Sequence, residues 1–302
     1  MGGAGGVTGA LLVIGDVVTD LVALHDRPLA PHTDTAARIA VLPGGSAANS
    51  AAWAAHSGAE VRLLSRVGTD SADWHRAELL GAGVRPHLVV DPQLSTAVVI
   101  CLVDAEAERT FVTDSGAAAR LGPADWDPAL LDGVARLHLS GYLYFADQGR
   151  KLAELAVAAA DARGVPVSVD PASTGFIERL GVATFRAAIE GAGLLLPNLA
   201  EARLLAGTDD PAAAAELLSA AHGEAVVKLG PQGALAARAG KVVARIPAAP
   251  CVPVDSTGAG DAFTGAFLAA RLRGVELAEA TAAGCAAGAR SVALTGGRPP
   301  AR

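Results

Sequence analysis

Residues Val254-Asp255-Ser256-Thr257-Gly258-Ala259-Gly260-Asp261-Ala262-Phe263-Thr264-Gly265 join a flexible turn to an alanine-rich stretch and carry two carboxylates, Asp255 and Asp261. The small residues Gly258, Ala259 and Gly260 let the backbone come close to a ligand. If a helix starts there, its first N–H groups lack partners within the helix, and the helix dipole adds positive potential. Such a turn suits a phosphoryl group or a developing negative charge. Asp261 falls in the first turn, beside that anion. A carboxylate repels phosphate and is not needed to bind it. It becomes useful when a hydroxyl must lose its proton while attacking the phosphate. The segment therefore points to phosphoryl transfer onto a hydroxyl; the plainer reading is a capped helix with a glycine turn.

Other phosphate-binding patterns fail on spacing. No G-x-x-x-x-G-K-[ST] occurs, which removes the P-loop. Glycines 258, 260 and 265 do not fit G-x-G-x-x-G, and they come late in the chain, against a dinucleotide fold. Asn198 and Glu201 stand three residues apart at an expected helix start. They read as an N-cap with its capping-box partner, or as a polar pair sharing one helix face. Lys228 ends an apolar strand, and taken alone is a charge leaving a strand terminus. Asp20 follows the first apolar run, and ligands of doubly wound sheets sit at such strand ends; Asp16, within the run, reads as structural, bonding local backbone.

These residues need a scaffold, and the apolar pattern supplies one. β-type runs fall at Leu11–Val18, Val61–Val67, Arg136–Leu139, Val165–Val169, Leu194–Leu196 and Ala225–Leu229. Helix-spaced, alanine-rich stretches lie at Ala47–His56, Trp74–Leu80, Lys151–Ala162, Glu201–Leu205, Ala212–Ala221 and Gly258–Arg273. Continuous apolar strands alternating with helices predict a three-layer α/β/α, doubly wound, mostly parallel sheet covered on both faces. Leu21–Leu42 and Thr96–Thr113 break the rhythm. They alternate, carry charged interruptions, and read as a small separate β-sheet, a lid over the site. No Pro/Ser-rich boundary divides the chain, so residues 1–302 are expected to form a single domain with its lid.

Composition narrows the function. The chain has 302 residues, with 24 Lys and Arg against 31 Asp and Glu. The resulting charge of −7 argues against sequence-independent nucleic-acid binding, which needs a basic surface. Only 4% of residues are aromatic, too few for a base-stacking platform. Cys101, Cys251 and Cys285 form no pair at metal or redox spacing and read as buried thiols of a reducing compartment. No apolar run reaches the ~18 residues of a membrane span, and Met1–Gly6 has no signal-peptide layout. The expectation is a cytoplasmic protein without nucleic-acid or membrane partners.

Several segments together resemble the ribokinase-like (PfkB) family of carbohydrate kinases. Asp255 to Leu268 resembles the family's second signature. Gly44-Gly45-Ser46-Ala47-Ala48-Asn49, with Leu64-Ser65-Arg66-Val67-Gly68-Thr69-Asp70 after the next helix, resembles the first. Asn198-Leu199-Ala200-Glu201 resembles its N-x-x-E motif, and Val227 to Ala234 its nucleotide-side strand and turn. The resemblance spans nearly the whole chain in the family's order.

The resemblance implies an ATP-dependent kinase acting on a primary hydroxyl of a small sugar, with Mg²⁺ as cofactor and a lid-to-lid homodimer. Asp261 would be the general base, and the N–H groups of Gly258, Ala259 and Gly260 the anion hole. Glu201 would organise Mg²⁺ through water, with Asn198 supporting the phosphates. Lys228, Gly230 and Gly233 would lie along the nucleotide. Cys285, on the last helix near the expected adenine wall, stands where some relatives carry Asn, and reads otherwise as a core thiol. Asp255 and Thr257 would help hold a monovalent cation such as K⁺, or else form only an Asp cap with a turn. Asp20, Gly44, Gly45 and Asn49 would contact substrate hydroxyls. Arg109 would point at the substrate, or be a solvated hairpin charge.

Two departures bear on specificity. Asp170-Pro171-Ala172-Ser173 lacks the arginine of the family's N-x-R element. Leu139-Ser140-Gly141-Tyr142 lacks the glutamate that ribokinase itself carries, so ribose is not supported as the substrate. Tyr142 or Tyr144 could line the pocket or sit in the core. A nucleoside kinase of adenosine or pseudouridine type is the alternative within the family. A catalytically inactive sugar-binding regulator is the alternative outside enzymes.

Overall fold

The computed structural model describes residues 9–106 and 109–300. Its strands are β1 (Ala10–Ile14), β2 (Val18–Leu24), β3 (Arg38–Gly44), β4 (Val61–Gly68), β5 (Val84–Asp91), β6 (Ala97–Val103), β7 (Arg109–Asp114), β8 (Val134–Ser140), β9 (Val167–Asp170), β10 (Leu194–Leu195), β11 (Glu224–Lys228), β12 (Ala234–Arg238) and β13 (Lys241–Ile246). Its helices are α1 (Ser46–His56), α2 (Ala72–Gly81), α3 (Asp147–Asp161), α4 (Thr174–Leu180), α5 (Val182–Ala188), α6 (Leu199–Ala206), α7 (Pro211–His222), α8 (Ala259–Leu272) and α9 (Leu277–Ser291).

The large sheet has the order β13-β12-β11-β10-β9-β8-β1-β4-β5. From β11 to β5 the neighbours are parallel, and β12 and β13 extend one edge antiparallel. The central strands bury both faces, whereas the edge strands β5 and β13 are partly exposed. Leu12 and Ile14 of β1 join one core with Leu139, Leu195 and Val227, whereas Leu11 and Val13 join the other with Leu63, Leu194 and Phe267. Alternate side chains of one strand thus enter opposite layers, as the two-residue period of a strand requires. Each such buried Leu, Ile or Val contributes about 1.5–3 kcal/mol relative to exposure.

The expected single run Leu11–Val18 is two elements. β1 ends at Ile14, the chain turns at Gly15–Val17, and Val18 opens β2 in a different sheet. The small sheet has the order β3-β2-β6-β7, with β2 and β6 parallel and both outer pairs antiparallel. It comprises the two segments read as a lid. The charged stretch around His25-Asp26-Arg27 falls between β2 and β3 and forms no strand.

Helix α1 is built almost wholly of small residues, and Ala47, Ala48, Ala51, Ala52, Ala54 and Ala55 are all buried. Their size lets α8 come very close. A Cβ on Gly265 of α8 would lie 2.4 Å from the Ser50 carbonyl oxygen, so a larger residue there would drive the two helices apart. This contact brings Asp261, one turn earlier on α8, against the start of α1.

Candidate active site

Parallel order places the carboxyl ends of β11, β10, β9, β8 and β1 along one edge, carrying Lys228, Asn198, Asp170, Tyr142 and Asp16 respectively. The chain runs outward in opposite directions from β1 and β8, so the edge contains the topological switch point at which doubly wound sheets bind ligands. A cavity of about 1050 Å³ opens there, between the sheet edge and the lid. Asp16, Asp20, Gly45, Asn49, Asn198, Glu201, Lys228, Gly230, Thr257, Gly258, Gly260 and Asp261 all line it.

Asp16 does not face the chemistry with free oxygens. Its carboxylate accepts from the Ser46 and Ala47 backbone N–H groups at 2.7 and 3.2 Å and from the Ser140 hydroxyl at 3.0 Å. It therefore satisfies the start of α1 from a distant strand end. Gly45 before it holds φ 96°, and a Cβ there would meet the Asp16 carbonyl oxygen at 2.6 Å.

Asp261 sits where α1 and α8 meet. Its Oδ1 accepts from the Ser46 hydroxyl at 2.8 Å, and its Oδ2 from Asn49 Nδ2 at 3.0 Å. Burial raises its pKa to about 7, against these two donations, which favour the ionised form. A carboxylate poised near neutrality is suited to take a proton. Just before it, Gly258 adopts the left-handed conformation with φ 72°, and a Cβ there would lie 2.5 Å from Gly297 Cα. The N-cap of α8 is Gly258, which has no side chain to offer the first N–H groups; the Ala259 N–H donates to the Ser256 carbonyl at 3.3 Å.

Lys228 faces that helix start. A Cβ on Gly260 would be 3.5 Å from Nζ. The ammonium donates to Asp170 Oδ2 at 2.6 Å, and Thr264 Oγ1 of α8 donates to the same oxygen at 2.8 Å. Burial pushes the ammonium pKa down, but Asp170, Glu201 and Asp261 together outweigh it and hold the group above its usual value. Asn198 pairs with Lys228 as the sheet ends, and the Lys228 N–H donates to the Pro197 carbonyl at 2.8 Å.

Asn198 and Glu201 form the capping box that their spacing allowed. Asn198 Oδ1 accepts from the Glu201 N–H at 2.9 Å. The Glu201 carboxylate accepts from the Asn198 N–H at 2.8 Å and from Asn198 Nδ2 at 2.6 Å. Burial, then the nearby Asp170, pushes the Glu201 pKa well up. Among the described residues, no group of three or more His, Cys, Asp or Glu is arranged to hold a metal ion. The residues present fit nucleotide phosphates: an uncapped helix start, glycines allowing close approach, and an ammonium. A Mg²⁺ carried by those phosphates would keep several waters, and Glu201 could accept hydrogen bonds from them.

Asp20 lies on lid strand β2, its backbone paired with Leu42 and Val99. Burial, then the charge of Asp16, raises its pKa to about 7. A Cβ on Gly44 would come within 2.1 Å of its Oδ2, so only glycine leaves that carboxylate in place. Beyond Asp20, the cavity wall is aromatic. Phe145 and Phe176 stack with centroids 5.0 Å apart, Tyr142 packs edge-on against both, and Phe111 and Val99 line the lid side. Tyr144 instead is buried in the core against Phe185.

The remaining expected site residues take other places. Gly233 shapes a turn, with φ 90° and room for no Cβ beside the Ile246 carbonyl oxygen. Cys285 packs in the core cluster of Phe263 and Phe267, where burial raises its thiol pKa; it does not line the cavity. Cys101 is buried as expected, but Cys251 is exposed, because it lies in the irregular segment between β13 and α8 rather than in the core. Trp53 is also buried, its indole donating to the Gly297 carbonyl at 3.0 Å. Asp255 accepts from the Thr257 and Gly296 N–H groups at 2.8 and 2.9 Å, joining the turn before α8 to the loop after α9. Arg109 opens β7 in the lid; its side chain lies outside the described residues. Sequence reasoning missed Asp170 and Arg298 as site groups. Asp170 showed only as a departure from a motif, and Arg298 only as a basic residue among glycines and prolines.

Among the described residues, no helix is long and apolar enough to cross a membrane. Comparison with known proteins agrees with the geometry. The chain is 28% identical over 295 residues to the 2-dehydro-3-deoxygluconokinase of Thermoproteus tenax, covering 95% of this chain and 89% of that protein. It is 28% identical over 285 residues to the cytidine kinase of Thermococcus kodakarensis, covering 89% and 91%. A putative ribokinase II from E. coli, solved in complex with ATP and Mg²⁺, superposes with a TM-score of 0.85 at 25% identity, covering 96% of this chain and 94% of that one. The sequence model described as pfkB family carbohydrate kinase matches residues 9–302. With its doubly wound sheet, β lid and uncapped glycine turn before Asp261, the chain belongs to the pfkB family of carbohydrate kinases.

Proposed function

We propose that this kinase transfers the γ-phosphoryl group of ATP to a primary hydroxyl of a small sugar, with Asp261 as general base. The observation that carries the reading is the place of Asp261: between an uncapped glycine-rich helix start and a lid carboxylate, Asp20, in one cavity. The acceptor hydroxyl gives its proton to Asp261 as its oxygen bonds to the γ-phosphorus. The bond from that phosphorus to the bridging β,γ-oxygen breaks, and ADP leaves. Lys228 and the first N–H groups of α8 stabilise the charge on the transferring group. Mg²⁺ would neutralise phosphate charge, near Glu201 and Asn198. Asp20, with the backbone at Gly44 and Gly45, orients the acceptor's other hydroxyls. A monovalent cation near Asp255 and Thr257 belongs to the same reading and would show as a K⁺ requirement for turnover. Pairing of two lids is supported by exposed apolar residues such as Ile39, Val41 and Val112, and sedimentation tests it.

The aromatic wall of Tyr142, Phe145 and Phe176 supports a second reading, a nucleoside acceptor whose base lies against those rings. A coupled ADP-release assay with MgATP against neutral sugars, sugar acids and nucleosides separates the two. Turnover confined to nucleosides would replace the sugar reading. Binding without turnover across the panel would leave a regulatory sugar-binding protein.

A further inference from the structure

Arg298 enters the site from the loop after α9, and the structure fixes its position from both sides. The Gly296 N–H donates to Asp255 Oδ2 at 2.9 Å, and the Gly297 carbonyl accepts from Trp53 Nε1 at 3.0 Å. Gly297 itself passes so close to α1 that a Cβ would meet Asn49 Nδ2 at 2.4 Å. The loop therefore delivers the next side chain to one place. Arg298 Nε donates to Asn49 Oδ1 at 3.0 Å, and Nη2 donates to the Gly44 carbonyl at 3.3 Å.

The consequence follows from amide chemistry. Asn49 has one acceptor oxygen and one donor nitrogen, and a guanidinium only donates. With Arg298 on its oxygen, Asn49 must turn its Nδ2 to Asp261, and that contact is 3.0 Å. The flipped amide would set oxygen against carboxylate and nitrogen against guanidinium, wrong at both ends. Asn49 is buried at 4% exposure, so water does not readily replace either contact.

We propose that Arg298 is a positioning residue for phosphoryl transfer: it locks the Asn49 amide so that Nδ2 donates to Asp261, keeping that carboxylate ionised and aimed, and it ties this geometry to the lid through the Gly44 carbonyl. The proposal rests on Asp261 as general base. Other charged or titratable groups face Asp261 as well: Asp170 from β9, Lys228 from β11, Glu201 from α6 and Tyr142 from the turn after β8. Arg298 also faces Glu78 of α2, Asp20 and Asp261 itself, so direct charge pairing is the competing account.

The two accounts separate on Arg298→Met and Arg298→Gln. Both remove the charge, but the glutamine amide can still donate to Asn49 Oδ1. The Asp261 carboxyl is followed by ¹³C NMR in aspartate-labelled protein without ligands, assigned by its loss in Asp261→Asn. Locking predicts that Arg298→Met moves the Asp261 titration to higher pH and that Arg298→Gln leaves it close to wild type. With MgATP and the acceptors active in the panel, Arg298→Met should lower kcat by up to about 10²-fold, as misplacement of a reacting group does, and Arg298→Gln should recover most of it. Equal shifts in the two variants would mean that charge alone acts, and would overturn the proposal. Should Arg298→Met fail to fold, the unmodified protein still decides: the Asn49 Nδ2 protons must shift as Asp261 titrates, and their indifference would equally overturn it. Normal turnover by Asp261→Asn would instead remove the general-base reading, an outcome distinct from either of these.

Discussion

The Lys228 ammonium reaches Asp170 Oδ2 at 2.6 Å across the intervening strand β10, and the Thr264 hydroxyl of α8 reaches the same oxygen. Three elements thus meet on one carboxylate. The pair is nearly enclosed, with side chains 11% and 8% exposed. Asp170 keeps Lys228 charged and aimed at the start of α8, where a phosphate would bind. It stands in the element that lacks the family's arginine, so the cation on this side of the site comes from β11.

Lys228→Met should leave Asp170 buried without its counter-charge and destabilise the protein by about 3–5 kcal/mol in denaturant unfolding. Adding Asp170→Leu should restore much of the stability, because the uncompensated charge is gone. It should not restore turnover. A stable double variant with wild-type activity would show that the pair is only structural.

The pH profile follows from Asp261. Its carboxylate must be ionised to accept a proton, and burial raises its pKa to about 7. The kcat/KM for the acceptor should therefore fall tenfold per unit as pH drops below about 7. For stability the sign is opposite. Asp20 and Asp261 are raised from 3.8 to about 7 in the folded state, so it binds more protons than the unfolded chain in that window. Their contribution to stability is fully present below the unfolded pKa and lost as pH rises through about 7. Asp20→Asn should flatten this loss in pH-dependent thermal melts; an unchanged slope would contradict the assignment.

Asp20→Ala should weaken acceptor binding by about 1–3 kcal/mol, the cost of leaving buried polar groups unpaired. Gly44→Ala should do the same without touching Asp20 chemically, because its new Cβ would collide with that carboxylate. Calorimetry should show ATP affinity unchanged in both. A loss of ATP affinity alone would place Asp20 at the wrong end of the site.

Strands β1, β4, β8, β9, β10 and β11 were legible because they are largely buried on both faces, so apolar residues dominate them despite polar interruptions such as Arg66 and His138. Edge strand β5 was not: Arg85, Pro86 and His87 interrupt it, as an edge tolerates. Hairpin β12–β13 hid behind alanine in Ala234–Arg238, which carries little strand preference, and its two-residue turn has a non-glycine residue, Ala239, at φ 48°. Short helices α4 and α5 left no clear period. In the site, Asn198 and Glu201 were visible because their partnership is local. Arg298 was invisible because Asn49 lies 249 residues away, and Asp170 because Lys228 lies 58 away. Cys285 had two readings in the sequence, and its packing among the phenylalanines of α8 matches the core thiol.

Asp20, Val99, Phe111 and Thr113 of the lid line the cavity. An acceptor that touches both Asp20 and the body gains contacts on closure, which also excludes water as a rival phosphoryl acceptor. Amide exchange should slow in β2, β3, β6 and β7 when the acceptor binds. With ATP alone, protection should centre on Lys228–Gly233 and Thr257–Asp261. Unchanged lid exchange with a bound acceptor would make the lid a fixed element.

Asp261→Asn tests the central claim most directly. The amide matches the carboxylate in size and keeps a site for the Ser46 donation, but it cannot take a proton. With MgATP and an acceptor turned over by the wild type, the account predicts near-normal binding of both and a loss of about 10²–10⁴-fold in kcat. Near-normal kcat in the purified, folded variant would contradict it and remove Asp261 from the mechanism.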